Sequence, residues 1–140
     1  MDDRLVFTYK VCGDDFTRAG EASSSIKNKL KMLGVDSSVI RRVAIAMYEG
    51  EINMVIHANG GNITVTISDE DITMVLADVG PGIPDISKAL KEGYSTAPEE
   101  VRALGFGAGM GLPNMKKSTD DFHIDTEIGV GTTVTMKVFL

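Results

Sequence analysis

Ala77-Asp-Val-Gly-Pro-Gly-Ile-Pro84 is the end of an apolar strand that delivers one carboxylate, Asp78, into a turn of two glycines and two prolines. Val75, Leu76 and Ala77 before it belong to a pattern that predicts a strand over Ile72 to Val79. Proline fixes its own φ and lacks an N–H, and glycine reaches conformations closed to other residues, so regular structure stops here. Such a turn lets the backbone lie against a flat ligand with a charged acceptor beside it. A carboxylate at the end of an apolar strand is partly desolvated and needs a donor. Two donors fit Asp78: an amide of its own turn, or the exocyclic amine of adenine, where guanine presents an acceptor instead.

Outward from this stretch, Ile63 to Ser68 reads as a strand joined to Ile72 to Val79 by the acidic turn Asp69, Glu70 and Asp71, an antiparallel hairpin. Leu5 to Val11 alternates as a strand with one buried face. Asp14 or Asp15 is expected to cap a first helix carrying Phe16, Ala19, Ile26, Leu30 and Leu33 and stopped by Gly34. Asp36, Ser37 and Ser38 restart a second helix to about Ala58, with Val39, Val43, Ala46, Met47, Met54 and Val55 as its buried stripe and Asn59, Gly60 and Gly61 as its stop. Past the turn, Asp85 to Glu92 predicts a short helix, Gly93 to Gly109 a long functional loop resembling a lid, and Met110 to Ser118 a helix. Phe122 to Thr126 and Thr132 to Phe139 predict two strands around the turn Ile128 to Gly131. The expected fold class is α+β: one domain over residues 1–140, with helices on one face of a mixed, mainly antiparallel sheet.

Composition narrows the function. With 140 residues, 43% hydrophobic content and a net charge of −6, the chain can bury a core, and general electrostatics argue against nucleic-acid or membrane partners. An anionic ligand must be held locally. The single cysteine, Cys12, has no intrachain partner; it is expected as a buried structural thiol. The start Met-Asp-Asp-Arg has no long apolar run, so a cytoplasmic location is expected.

Glu49, Asn53 and His57 are spaced by four residues and form one polar stripe along the second helix. The bland reading is a solvent face. The neutral Asn between two titratable groups favours a pocket wall instead: a carboxamide oxygen suits Mg²⁺ that is also held by phosphates, and a carboxylate one turn earlier suits a base. Gly50, within this helix, costs about 1 kcal/mol relative to alanine, which points to close packing on the sheet or near approach of a ligand. Glu51 lies off the stripe and is expected in solvent, without a role. Gly105-Phe-Gly-Ala-Gly-Met-Gly111 places glycine at every second position before a helix, where amides could cradle phosphate at the helix's positive end; a flexible hinge is the alternative. No P-loop is present, nor the catalytic loop or Asp-Phe-Gly motif of the large protein kinases.

Glu49-x-x-x-Asn53-x-x-x-His57, Asp78-x-Gly80-x-Gly82, Gly107-x-Gly109-x-Gly111 and Gly131-Thr132-Thr133 together resemble the Bergerat-type ATPase fold of gyrase, MutL and histidine kinases. Within it, the short chain and the Glu before the Asn resemble the anti-sigma-factor serine/threonine kinases and the RsbT-like switch kinases. The resemblance implies a two-layer α/β sandwich holding ATP or ADP beneath a lid. It also implies Mg²⁺ on Asn53, Glu49 as general base, and adenine on Asp78. Gly80, Gly82 and Ile83 would form the turn against the base, and Thr132 would support it. Gly105, Gly107, Gly109, Met110, Gly111 and the amide of Leu112 would wrap the phosphates. Ser95 and Thr96 would reach them from the lid, and His57 would lie near phosphate or merely pack. The implied partners are a STAS-domain antagonist phosphorylated on serine or threonine and a sigma factor, with a homodimer left open. A nucleotide-gated binding module with negligible transfer activity is a second reading, and Glu49 discriminates the two; a slow ATPase with no protein substrate is a third.

Overall fold

Period-two alternation builds the sheet of this chain, seen in a computed structural model that describes residues 4–13, 18–57, 60–80 and 111–140. The strands are β1 (Leu5–Cys12), β2 (Gly60–Ile67), β3 (Asp71–Asp78), β4 (Asp121–Glu127) and β5 (Gly131–Phe139). They form one sheet in the order β1-β2-β3-β5-β4, and every pairing is antiparallel. Directly opposed residues share a face. One rung runs Phe7, Val65, Met74, Met136, Phe122, and the next runs Tyr9, Ile63, Leu76, Val134, Ile124. These are the apolar face. The opposite face is rich in threonine, with Thr64, Thr66, Thr73, Thr133 and Thr135 all half-buried or buried less than the core.

Three helices among the described residues cover the apolar face: α1 (Glu21–Met32), α2 (Ser37–His57) and α3 (Gly111–Ser118). Ile26, Leu30, Val43, Met47 and Met115 from them join Ile63, Met74 and Met136 of the sheet in one core, all essentially inaccessible to water. Burying a side chain of this size contributes roughly 1.5–3 kcal/mol. Gly34 follows α1 with φ +76°, and the amides of Gly34 and Val35 donate to the carbonyls of Lys31 and Leu30, the expected glycine stop. Asp36 caps α2 as expected, accepting from the Ser38 amide at 3.2 Å and from the Ser38 hydroxyl. No described helix is long and apolar enough to cross a membrane.

Four expectations need correction or fall elsewhere. α1 begins at Glu21, behind Gly20 (φ +97°), so Ala19 precedes it; Asp14, Asp15 and Phe16 lie outside the described residues. Gly60 and Gly61 open β2 rather than only ending α2, and a Cβ on Gly60 would stand 2.1 Å from the Val11 carbonyl oxygen, which is why glycine is needed there. Cys12 is exposed, because alternation turns Val11 inward and Cys12 outward on an edge strand. The expected helix at 85–92 and the lid at 93–109 lie outside the described residues.

Candidate functional site

The apolar rungs give way to polar ones at one end of the sheet. Two residues beyond the second rung, Val11, Gly61 and Asp78 stand opposite one another, while Thr132 on β5 faces Thr126 on β4. By alternation Asp78 shares the helix-covered face with Leu76 and Met74. Its Oδ1 accepts the Thr132 N–H at 2.8 Å, a donor that comes from the neighbouring strand. No described residue donates to Oδ2. Burial pushes the Asp78 carboxyl above its usual range, an effect larger than the opposing pull of the Thr132 amide. The Thr132 side chain is buried, its hydroxyl 3.0 Å from that of Thr126. A Cβ on Gly131 would stand 2.3 Å from the Asp78 carbonyl oxygen, so only glycine lets β5 come this close.

α2 crosses above this end. A Cβ on Gly50 would meet Leu76 Cδ2 at 2.2 Å and Met115 Sδ at 3.3 Å; packing on the sheet and on α3 explains this glycine. Further along, Met54 Cε approaches Gly61, the partner of Asp78. Residues 50–54 of α2 therefore overlie the last residues of β3. Successive helical residues are separated by about 100°, so with Gly50 and Met54 on the sheet, Glu49 and Asn53 flank that contact on the α3 side. Asn114 of α3 confirms the side: its Nδ2 donates to Glu49 Oε1 at 3.3 Å.

α3 runs antiparallel to α2. Ser118, at its C-terminal end, accepts from Arg42 Nε at 3.0 Å and Asn114 meets Glu49, so the N-terminal end of α3 points along α2 towards the turn that carries Asn53. A helix N-terminus presents unpaired amides and partial positive charge. Glu49, Asn53, the Asp78–Thr132 pair and the start of α3 thus lie on one side of α2, at one end of the sheet. His57 is the last residue of α2, and the expectation for its side chain lies outside what is described. So do those for Gly82, Ile83, Ser95, Thr96, Gly105, Gly107, Gly109 and Met110. Gly80 follows β3, and Leu112 is half-buried in the first turn of α3.

Glu51 was expected in solvent and is instead buried, 3% exposed. Its Oε2 accepts from the Gly20 and Ala22 amides at 3.0 and 3.2 Å, and its Oε1 from the Ser23 amide at 3.1 Å. It is the cap of α1, supplied by another helix because Gly20 has no side chain to cap with. The signal was present in the sequence: Met47 and Val55, four residues to either side, are both buried, so Glu51 sits in the apolar arc. A cavity of about 380 Å³ opens between β1 and α1, lined by Tyr9, Ser25, Glu51 and Val55 among others. It lies on the α1 side of α2, away from Glu49. Asn114 and Thr126 are the other site neighbours that periodicity alone did not reveal.

A family model described as a histidine kinase-like ATPase domain matches residues 14–138. Among curated relatives, the serine/threonine-protein kinase RsbT of Bacillus subtilis is 31% identical over 112 residues, 77% of this chain and 78% of that protein. The anti-sigma F factor of Clostridium acetobutylicum is 30% identical over 138 residues, 95% of this chain and 90% of that protein. The anti-sigma F factor of Caldanaerobacter subterraneus subsp. tengcongensis is 32% identical over 106 residues, 72% and 71% of the two chains.

Proposed function

Because the chain belongs to the histidine kinase-like ATPase domain family, we propose that it is an ATP-dependent serine/threonine protein kinase of the anti-sigma-factor and switch-kinase type. The observation that carries this reading is the placement of Asp78 on the helix-covered face, one oxygen tied to Thr132 and the other without a described donor, beneath the side of α2 that bears Glu49 and Asn53. Asp78 takes the adenine amine, with Gly80, Gly82, Ile83 and Thr132 around the base. The phosphates extend towards Asn53 and the amides at the start of α3, with Gly105 to Leu112, Ser95 and Thr96 around them.

The residues fit Mg²⁺. Asn53 offers a hard oxygen, and among the described residues no group of three or more His, Cys, Asp or Glu could hold a metal ion by itself. That suits a cation shared between one side chain and phosphate oxygens, whose charge it would help neutralise. Asn114 orients Glu49 through Oε1, and Oε2 has no described partner, so it can accept the proton of an acceptor hydroxyl. The hydroxyl oxygen bonds to the γ-phosphorus as the β–γ bridge breaks, and ADP leaves. The acceptor is a serine or threonine of a STAS-domain antagonist in the cytoplasm. The names of the anti-sigma F relatives suggest a sigma factor as a second partner, and a homodimer is compatible with both.

Incubation with γ-labelled ATP, Mg²⁺ and candidate STAS-domain proteins tests the reading. Label is expected on a serine or threonine of one of them, reduced roughly 10²- to 10⁴-fold by Glu49→Gln, with ATP affinity within a few-fold. The same anti-sigma names favour one alternative, a nucleotide-gated binding module. Partner regulation unaltered in Glu49→Gln, with no label in the wild type, would select it.

A further inference from the structure

Glu51 stands between Glu49 and Asn53 in sequence and behind them in space. At about 100° per residue, Glu49 and Asn53 each lie about 160° around α2 from Glu51 and only about 40° from each other. The side of α2 that bears the proposed machinery is therefore the side opposite the Glu51 carboxylate. That carboxylate is buried and holds three amides of α1, from Gly20, Ala22 and Ser23. Charge-assisted bonds of this kind are stronger than neutral ones and tightly directional.

Other described contacts constrain the same turns of α2. Gly50 sits against Leu76 and Met115, and Glu49 meets Asn114. Both act on the sheet and α3 sides. A glycine contact limits how closely the helix approaches the sheet but offers no directional grip, and the Asn114 bond is long at 3.3 Å. Among the described contacts, the directional anchor is Glu51. Tyr48 adds to the same junction, its ring placed 3.2 Å from where a Cβ on Gly20 would stand.

We propose that Glu51 is a positioning residue of the phosphoryl-transfer site, fixing the roll of α2 through α1 so that Glu49 and Asn53 are held in line. This rests on the roles given to those two residues above. The carboxylate touches no reacting atom; it acts through the helix. A change of roll by one side chain's reach carries the Glu49 carboxylate out of line while leaving Asp78 and Thr132, which belong to the sheet, where they are. The effect therefore falls on the phosphate end and spares the base end.

Glu51→Gln, in the full chain, keeps shape and removes charge; Glu51→Asp keeps charge and shortens its reach, and serves if Glu51→Gln does not fold. Three readouts apply to folded protein. Transfer at saturating ATP is expected to fall at least tenfold in kcat, with KM for ATP changed less than threefold. Affinity for ADP without Mg²⁺, which reads the base end, is expected to stay within threefold. The side-chain amide NMR signals of Asn53 and Asn114 are expected to shift, while amides of the β2–β3 turn at Asp69 and Glu70 do not. Lower thermal stability with kcat and both amide signals unchanged would overturn the proposal and leave Glu51 a helix cap only. The NMR arm does not depend on catalysis, so a wild type that transfers no phosphate would sink the kinase reading while the amide shifts still decide the role of Glu51.

Discussion

Asp78 is held in the fold at an energetic cost: burial raises its carboxyl pKa and one amide offsets only part of that. Its folded pKa lies above the unfolded one, so in the interval between them the folded state binds more protons. Stability from this group is then greatest at low pH and is lost as pH rises through the raised value. Asp78→Asn keeps an oxygen for the Thr132 N–H and removes the charge, so its stability relative to wild type is expected to grow from acid to neutral pH in parallel thermal melts. The same substitution should weaken ATP binding roughly ten- to hundredfold, the equivalent of losing about 1.5–3 kcal/mol from a hydrogen bond to a charged acceptor. A variant stabilised at neutral pH with unchanged ATP affinity would remove Asp78 from the site. The sequence shows the carboxylate at the strand's end, because alternation is local. The identity of its donor, 54 residues away on β5, depends on strand register across the sheet and is invisible to local pattern. Glu51 departs from expectation for a different reason: it lies off the polar stripe, but between Met47 and Val55, which places it in the apolar arc.

Between elements, glycine permits close approaches. Gly131→Ala would drive a Cβ into the Asp78 carbonyl from a backbone at φ +154°, with no flexible side chain to yield. A loss of about 1–3 kcal/mol is expected from overpacking, with reduced ATP affinity because the Thr132–Asp78 contact shifts with it. Equilibrium urea unfolding and nucleotide titration read the two effects; loss of neither would mean that β5 is not pressed against Asp78. At the far end of the same helical layer, Arg42 on α2 donates to the Ser118 carbonyl and pairs with Asp120 at 2.9 Å. Asp120 also accepts the Phe139 amide at 2.7 Å, and this bond with the Arg42 guanidinium lowers its pKa. Here the sign reverses: this stabilisation is present above the unfolded pKa and is lost as pH falls through the lowered one. Arg42→Ala is expected to cost about 1 kcal/mol, discounted for partial exposure, and to flatten the acid limb of the stability profile. An unchanged limb would place that acid sensitivity elsewhere. The start of α1 was illegible for the same reason as the donor of Asp78: its cap arrives from a residue 28 positions away or more.

At the scale of the molecule, α2 is the shared element: sheet below, α1 on one side, α3 on the other, with Glu51 facing α1 and Glu49 facing Asn114. The two-layer α+β architecture was legible because each strand alternates and each helix carries an apolar arc; the fully antiparallel order β1-β2-β3-β5-β4 was not, since pairing β3 with the last strand is a non-local choice. Ligand that binds only the folded state stabilises it by about 2.7 kcal/mol at a hundredfold excess over Kd. Mg²⁺ with ATP should therefore raise the thermal midpoint by several degrees, and Asn53→Ala should abolish the Mg²⁺-dependent part alone. The central claim is that α2, β3, β5 and α3 converge on one nucleotide. A crystal structure with Mg²⁺ and a non-hydrolysable ATP analogue tests it most directly. The adenine amine is expected within hydrogen-bonding distance of Asp78 Oδ2 and the metal on Asn53 Oδ1; a nucleotide that touches one of these residues and not the other would refute a single shared site.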